Sequence, residues 1–239
     1  NRPKELAAHM QDIVQTKCLS AAYRLTGISV TKSDNVLGIR FDVLAKACYH
    51  CFFEIVLNER DQLVLQLTQH TLPAAVPITD IVQRHLVLGD GEIMVVGSML
   101  DDEASIECEH SLLPRLRAFC QQVYHCCYCY HVRQNTFTYL EGITLDSLHY
   151  TIDHLELVGT SMIRFQLHHR LSGIATAIIT LQYASDLCRL RAHQPSTVTI
   201  TIPSRDDDYE EFVEQAITCF KKLPIQDALE QVTKLMAEW

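Results

Sequence analysis

Apolar residues recur along this chain with two different periods, and the same succession of periods occurs twice. In the first copy Leu37, Ile39, Phe41 and Val43 alternate with polar neighbours. Tyr49, Cys51, Phe53, Ile55 and Leu57 do the same, followed by Leu63, Leu65 and Leu67. A period of two places such a set on one face of a strand, so these stretches predict three strands sharing a buried face. Leu72-Pro73-Ala74-Ala75-Val76-Pro77 follows. Two prolines four apart cannot continue a ladder, because each lacks an N–H, and they predict a rigid extended crossing. Thr79-Asp80 then leads into a turn of helix around Ile81, Val82, His85 and Leu86. Gly89, Gly91 and Asp101-Asp102-Glu103 bracket a loop or small hairpin over 93–96. The period next lengthens, and Leu112, Leu116, Cys120, Val123, Cys127 and Tyr130 form one stripe of a longer helix. Residues 132–148 read as the bridge between copies, with Glu141-Gly142 as its turn.

The second copy opens with a change of parity. Tyr150 and Ile152 share one face and Leu155 and Leu157 the other, which predicts a bulge near Asp153-His154 or two short strands. Ile163, Phe165 and Leu167 alternate next, then Ala177, Ile179, Leu181 and Tyr183, then Val198, Ile200 and Ile202 before Pro203. Ser204 or Asp206 is placed to cap the following helix. Asp207, Asp208, Glu210 and Glu211 would sit in its first turn, where the helix dipole favours negative charge. The last helix carries Ile225, Ala228, Leu229, Val232, Leu235, Met236 and Trp239 on one face. Ahead of both copies, Leu6, Met10, Ile13 and Val14 recur at helical spacing after Pro3, and Gly27 is free to take a left-handed cap. The expected fold is α+β, with two tandem modules, each an antiparallel sheet packed against helices, behind an N-terminal helix. The expected limits are 1–25 for that helix, 26–134 for the first module and 135–239 for the second.

The second strand of the first copy is apolar on its reverse face too, at Phe52 and Val56, joined by Val64 on the third strand. A sheet that is apolar on both faces is covered on both. The cover is either the N-terminal helix or a loop, or else a partner chain. Phe52, Val56 and Val64, with the stripe Leu6, Met10 and Ile13, are therefore the candidate interface residues, although core packing accounts for each of them equally.

A hydrophobic share of 48% with 21% charged residues in 239 is that of a packed globular chain. The formal net charge of −9 argues against a grip on nucleic acid by this chain alone. Arg115 with Arg117 is the densest basic spot of the first copy, and solvated surface explains it. Ten cysteines without a framework spacing, two of them adjacent at Cys126 and Cys127, read as reduced thiols in cytosol or nucleus. No apolar run approaches the ~20 residues that span a bilayer.

Cys120, His125, Cys126, Cys127, Cys129 and His131 invite a zinc site. His125 and Cys129 have the helical i, i+4 spacing, but no second pair lies nearby, and Cys120 and Cys127 fall on the apolar stripe. A hydrophobic helix is the simpler reading, and neither metal nor cofactor is expected. Twelve histidines suggest acid–base work, yet His149, His154, His168 and His169 read as half-exposed sheet residues. His168, His169 and Asp153 are the one grouping a fold could bring together. Nucleophile elbow, phosphate-binding glycine loop, paired carboxylates and HExxH are all lacking. No enzymatic activity is expected.

The order of strands, Pro-x-x-x-Pro and helix resembles the RWD module, a protein-binding relative of the ubiquitin-conjugating fold. Pro73 and Pro77 match its Tyr-Pro-x-x-x-Pro signature, with Leu72 in the tyrosine position. The second copy has only Pro195 and Pro203 and matches by element order. The His-Pro-Asn and active-cysteine context of ubiquitin-conjugating enzymes is missing. Tyr23-Arg24-Leu25-Thr26-Gly27, Val76-Pro77-Ile78, Leu181-Gln182-Tyr183, Thr197-Val198-Thr199-Ile200 and Phe220-Lys221-Lys222-Leu223-Pro224-Ile225 extend the likeness over most of the chain. On these anchors the chain resembles the centromere protein O family, tandem-RWD proteins of the inner kinetochore, with its fungal counterparts.

That resemblance implies a non-catalytic scaffold in the nucleus. It implies a heterodimer with centromere protein P, itself a tandem-RWD protein, joined to centromere proteins Q and U. Such a complex helps link centromeric chromatin to the outer kinetochore and touches DNA only indirectly. It also implies a coiled coil ahead of the modules. The competing expectation is an RWD-type adaptor outside the kinetochore.

Overall fold

The computed structural model describes residues 27–33, 35–44, 47–57, 62–87, 95–98, 102–143, 150–170, 175–203 and 209–238. The N-terminal helix expected over 1–25 lies outside the described residues. The chain divides into two compact units between Tyr128 and Cys129.

The first unit is built on five antiparallel strands in sequential order: β1 (Ile28–Ser33), β2 (Val36–Val43), β3 (Ala47–Leu57), β4 (Gln62–His70) and β5 (Val95–Ser98). Alternation in β2 and β3 sets the register, pairing Ile39 with Cys51 and Phe41 with Tyr49. Ile39, Phe41, Val43, Cys51 and Phe53 are buried completely. Two strands exceed the expected three. Segment β1 was missed, and the expected loop or hairpin over 93–96 contributes strand β5, paired with β4 through Gln62–Ser98 and Leu63–Gly97. Gly27 precedes β1 with φ of +76°, and its carbonyl accepts the Asp42 N–H at 2.7 Å.

The chain after β4 does not cross in the extended form expected of the two prolines but folds into a tight turn between them. Val76 N–H donates to Pro73 O at 2.9 Å, and Ile81 N–H to Pro77 O at 3.1 Å. That geometry starts helix α1 (Ile78–Leu86), which buries Ile78, Ile81 and Leu86. Helix α2 (Asp102–Gly142) is 41 residues long and contains Pro114. Its buried stripe includes Phe119, Cys120, Val123 and Cys127. Phe119 meets Phe53 edge to face at 5.5 Å, so this stretch covers the buried face of the first sheet. Over 132–142 the chain is helix and not the expected bridge, because α2 runs on to Gly142, where Glu141-Gly142 ends the helix instead of turning a loop. Cys129, Arg133 and Leu140 are buried, and their spacing of four and seven continues a helical stripe through that stretch.

The second unit has four antiparallel strands in sequential order: β6 (Tyr150–Val158), β7 (Met162–His169), β8 (Ala175–Tyr183) and β9 (Pro195–Thr201). The parity change in β6 is a bulge in one strand. The register moves from Asp153–Gln166 to Glu156–Arg164, and His154 takes a φ of +49°. Helix α3 (Glu210–Lys222) has Glu210 and Glu211 in its first turn and Lys221 and Lys222 in its last, matching the dipole at both ends. Its cap is Tyr209, without a side-chain cap bond; Ser204 and Asp206, expected as caps, lie outside the described residues. Helix α4 (Ile225–Glu238) follows one short turn later. Ile163, Phe165, Leu167, Ile179 and Leu181 form a core with Leu140, Phe212, Phe220, Leu229 and Val232. Phe165 and Phe220 meet at 6.4 Å with rings at 73°. Among the described residues no helix is long and apolar enough to cross a membrane.

Candidate functional site

Because Ile39, Phe41 and Val43 point inward, the residues between them make the outer face of the first sheet. Arg40 sits there with Asp42, its Nε and Nη2 both donating to the carboxylate at 2.8–3.1 Å. The guanidinium bonds hold the Asp42 carboxyl below the usual carboxylate range. Across the strand pair, Asp42 faces Cys48 and Arg40 faces His50. The Cys48 sulfur lies 3.8 Å from His50 Nε2. The His50 ring stacks on Phe52, with centroids 5.9 Å apart and planes within 8°. Phe52 also covers Gly38 on β2, where an added Cβ would lie 3.5 Å from the ring and 2.8 Å from Thr31 Oγ1.

The sequence placed Phe52, Val56 and Val64 on a reverse apolar face. Phe52 is half-buried there, between His50 and exposed Glu54, on a face that also carries the Arg40–Asp42 pair. Val56 and Val64 are register partners in the β3–β4 pair, and their side chains lie outside the described set. Leu6, Met10 and Ile13 also lie outside the described residues.

The cysteines of α2 are core. Cys120, Cys126, Cys127 and Cys129 are buried. Burial pushes the thiols of Cys51, Cys120 and Cys127 up to about 12 and that of Cys129 up to about 11. Among the described residues no group of three or more His, Cys, Asp and Glu converges as a metal site requires. The grouping of His168, His169 and Asp153 divides. His168 Nε2 stands 4.0 Å from the half-exposed Asp153 carboxylate, whereas His169 packs edge-on against Tyr150 at 5.3 Å.

One residue that the pattern of charges hides organises an end of the second sheet. Arg133, on α2, is only 1% exposed. Its Nε donates to Ala192 O at 3.0 Å, Nη1 to Thr160 O at 2.7 Å, and Nη2 to Ala184 O at 2.8 Å and also to Ala192 O. The guanidinium carbon lies 5.0 Å above the Tyr183 ring. Burial works against the charge and lowers its pKa, but arginine stays protonated in proteins. Carbonyl dipoles and an aromatic face thus replace the water that the cation gave up. The sequence carried a usable signal, since Arg133 falls on the stripe of Cys126, Cys129 and Leu140. A charge on that stripe must find buried acceptors.

Between α3 and α4 lies a groove of about 550 Å³ lined by Thr218, Cys219, Gln231, Lys234 and Leu235. The Cys219 thiol donates across it to Gln231 Oε1 at 3.3 Å.

None of these arrangements assembles a nucleophile, a base and an anion-stabilising pocket, the minimum for a hydrolytic or transfer reaction. What they offer is surface, a mixed polar and aromatic sheet face in one unit and a pinned sheet end in the other. Comparison with curated protein sequences finds no match. The family model described as "Cenp-O kinetochore centromere component" matches residues 21–220, which take in both sheets and most of α3. The chain belongs to the Cenp-O family of kinetochore centromere components.

Proposed function

We propose that this kinetochore component acts as a non-catalytic scaffold and heterodimerises with a centromere protein P-like tandem-RWD subunit. The pair joins centromere protein Q-like and U-like subunits and helps link centromeric chromatin to the outer kinetochore during chromosome segregation. The observation that carries this reading is the family match across residues 21–220, which spans both sheet-plus-helix units instead of one of them. Both units are read as RWD-like modules, over 26–134 and 135–239, behind an N-terminal helix over 1–25. The partner is assigned to the outer face of the first sheet at Phe52, Val56 and Val64, and to the stripe Leu6, Met10 and Ile13.

A stable interface of this kind buries on the order of 1,200–2,000 Å². Co-expression with a centromere protein P homologue, followed by size-exclusion chromatography with light scattering, tests it. A stable 1:1 complex is the expected result. A well-behaved monomer that ignores the partner overturns it and favours an RWD-type adaptor acting elsewhere. Imaging of a tagged chain separates the same two readings, as centromeric foci or diffuse signal.

A further inference from the structure

The loop between β8 and β9 is short of apolar cover and long on internal support. Leu190 is 93% exposed, more than any other large apolar side chain among the described residues. Single exposed leucines are common on protein surfaces and by themselves mean little. This one differs in how firmly its backbone is held. Arg189 N–H donates to Asp186 O at 3.3 Å, Ala192 N–H to Arg189 O at 3.1 Å, and Gln194 N–H to Arg191 O at 2.9 Å. The Asp186 carboxylate accepts the Cys188 N–H at 2.9 Å. Arg191 holds a φ of +62°, an unfavourable conformation for a side chain of its size. Arg133 clamps both ends of the loop from beneath, at Ala184 O and Ala192 O.

The same guanidinium holds Thr160 O in the β6–β7 turn. Val158, two residues before that carbonyl, is 49% exposed. One buried cation therefore fixes two turns, each of which presents an apolar side chain to solvent. Leu190 is flanked by Arg189, whose side chain is 73% exposed, and by exposed Arg191. The loop's one acid, Asp186, faces Arg189 at 3.8 Å. In a chain of net charge −9 this is a local cationic spot with an apolar point at its centre.

We propose that the β8–β9 loop is a docking knob in which Leu190 packs on the apolar stripe of an acidic amphipathic helix of a partner protein while Arg189 and Arg191 meet carboxylates along its edges. Preorganisation favours this use, since a loop already fixed loses little freedom on binding. Charge complementarity names the sign of the partner. A protein fits better than nucleic acid, because two arginines make a small phosphate footprint and a lone leucine has no base edge to read.

The test uses the full chain, in whatever assembly it purifies, and fluorescence anisotropy with three labelled probes. The first is a synthetic amphipathic helix with a leucine stripe flanked by glutamates. The second is the same helix with lysines, and the third is duplex DNA. The expected result is binding of the acidic helix alone, weakened by added salt. Leu190→Asp, and separately the double substitution R189E/R191E, should each weaken binding by about tenfold or more. Leu190→Asp should not move the melting temperature, and R189E/R191E should lower it only slightly, through loss of the exposed Arg189–Asp186 pair. Failure of the acidic helix to bind overturns the proposal. So does equal binding of the lysine helix or of DNA, or undiminished binding by both variants. The heterodimer test above is indifferent to these substitutions, so the two ideas fail separately.

Discussion

The first sheet is packed against sulfur, whereas the second is packed against hydrocarbon around a buried cation. Cys51, Cys120 and Cys127 are buried in the first unit with Phe53 and Phe119. Phe165, Ile179, Leu181, Phe212, Phe220 and Leu229 fill the second, with Arg133 at its margin. Thiols behave as small apolar groups that ask for no partner. A guanidinium carries five N–H donors and must be answered. Both cores exclude water, but one depends mainly on volume and thiol protonation, and the other depends also on the placement of three carbonyls. The two units should therefore fail under different insults.

The largest expected effect lies in the second unit. Arg133→Met keeps most of the side-chain length and deletes every donor, leaving the buried carbonyl of Ala192 and the part-buried ones of Thr160 and Ala184 without these bonds. The loss should be about 2–4 kcal/mol in urea unfolding, the cost of leaving acceptors that are buried or part-buried without their donor. Faster hydrogen exchange over 184–192 should accompany it. Arg133→Lys should rescue little, because an ammonium cannot reproduce the planar fork. Full stability in either variant would mean that the clamp is ornamental and the contrast between the units false.

Alkali sharpens the comparison from the other side. In the unfolded chain a thiol ionises near its ordinary value of 9.0, whereas Cys51, Cys120 and Cys127 in the folded first unit keep their protons to about 12. Above pH 9 the folded state therefore binds more protons than the unfolded one. Stability that is full below pH 9 should fall as the pH rises toward 12, by up to about 1.4 kcal/mol per pH unit for each thiol. The second unit holds one thiol driven comparably far, Cys129, to about 11. Exchange measured over a pH series should show β2 and β3 opening before β7 and β8. The reverse order would break the comparison.

A smaller loss is expected at the edge of the first sheet. Gly27 sits at φ +76°, and a Cβ there would lie 2.6 Å from Asp42 O and 2.8 Å from Tyr124 Cε2. Gly27→Ala should cost about 1–3 kcal/mol through backbone strain and displacement of that carbonyl. A shift in melting temperature measures it, and an unchanged value would show that Tyr124 gives way freely.

How far the sequence spoke for these features depends on how local their causes are. Alternation in β2, β3, β7 and β8 is written in consecutive residues, as is the parity change that marks the bulge at Asp153–Glu156. The end of β4 before Pro73 follows from two missing N–H groups, whereas the turn that Val76 closes on Pro73 O does not. Strand β1 escaped because Ile28 and Val30 alternate over too few residues to separate from a loop, and β5 is four residues long. Segment 132–142 escaped because Arg133, Gln134 and Asn135 look like surface when taken singly. The carbonyls that make Arg133 a core residue lie 27 to 59 positions away. Neither charge nor period in a short window encodes that encounter. The outer face of the first sheet was legible only in part, since alternation along β3 sets His50 beside Phe52, but Arg40 and Gly38 on β2 join them through register and not adjacency.

Arg133 touches the loop after β8 only through main-chain oxygens, which every amino acid possesses. The course of that loop is thus inherited from α2, while its side chains are left open to change. A lineage can replace Leu190 or its flanking arginines, and with them what the loop recognises, without putting the fold at risk.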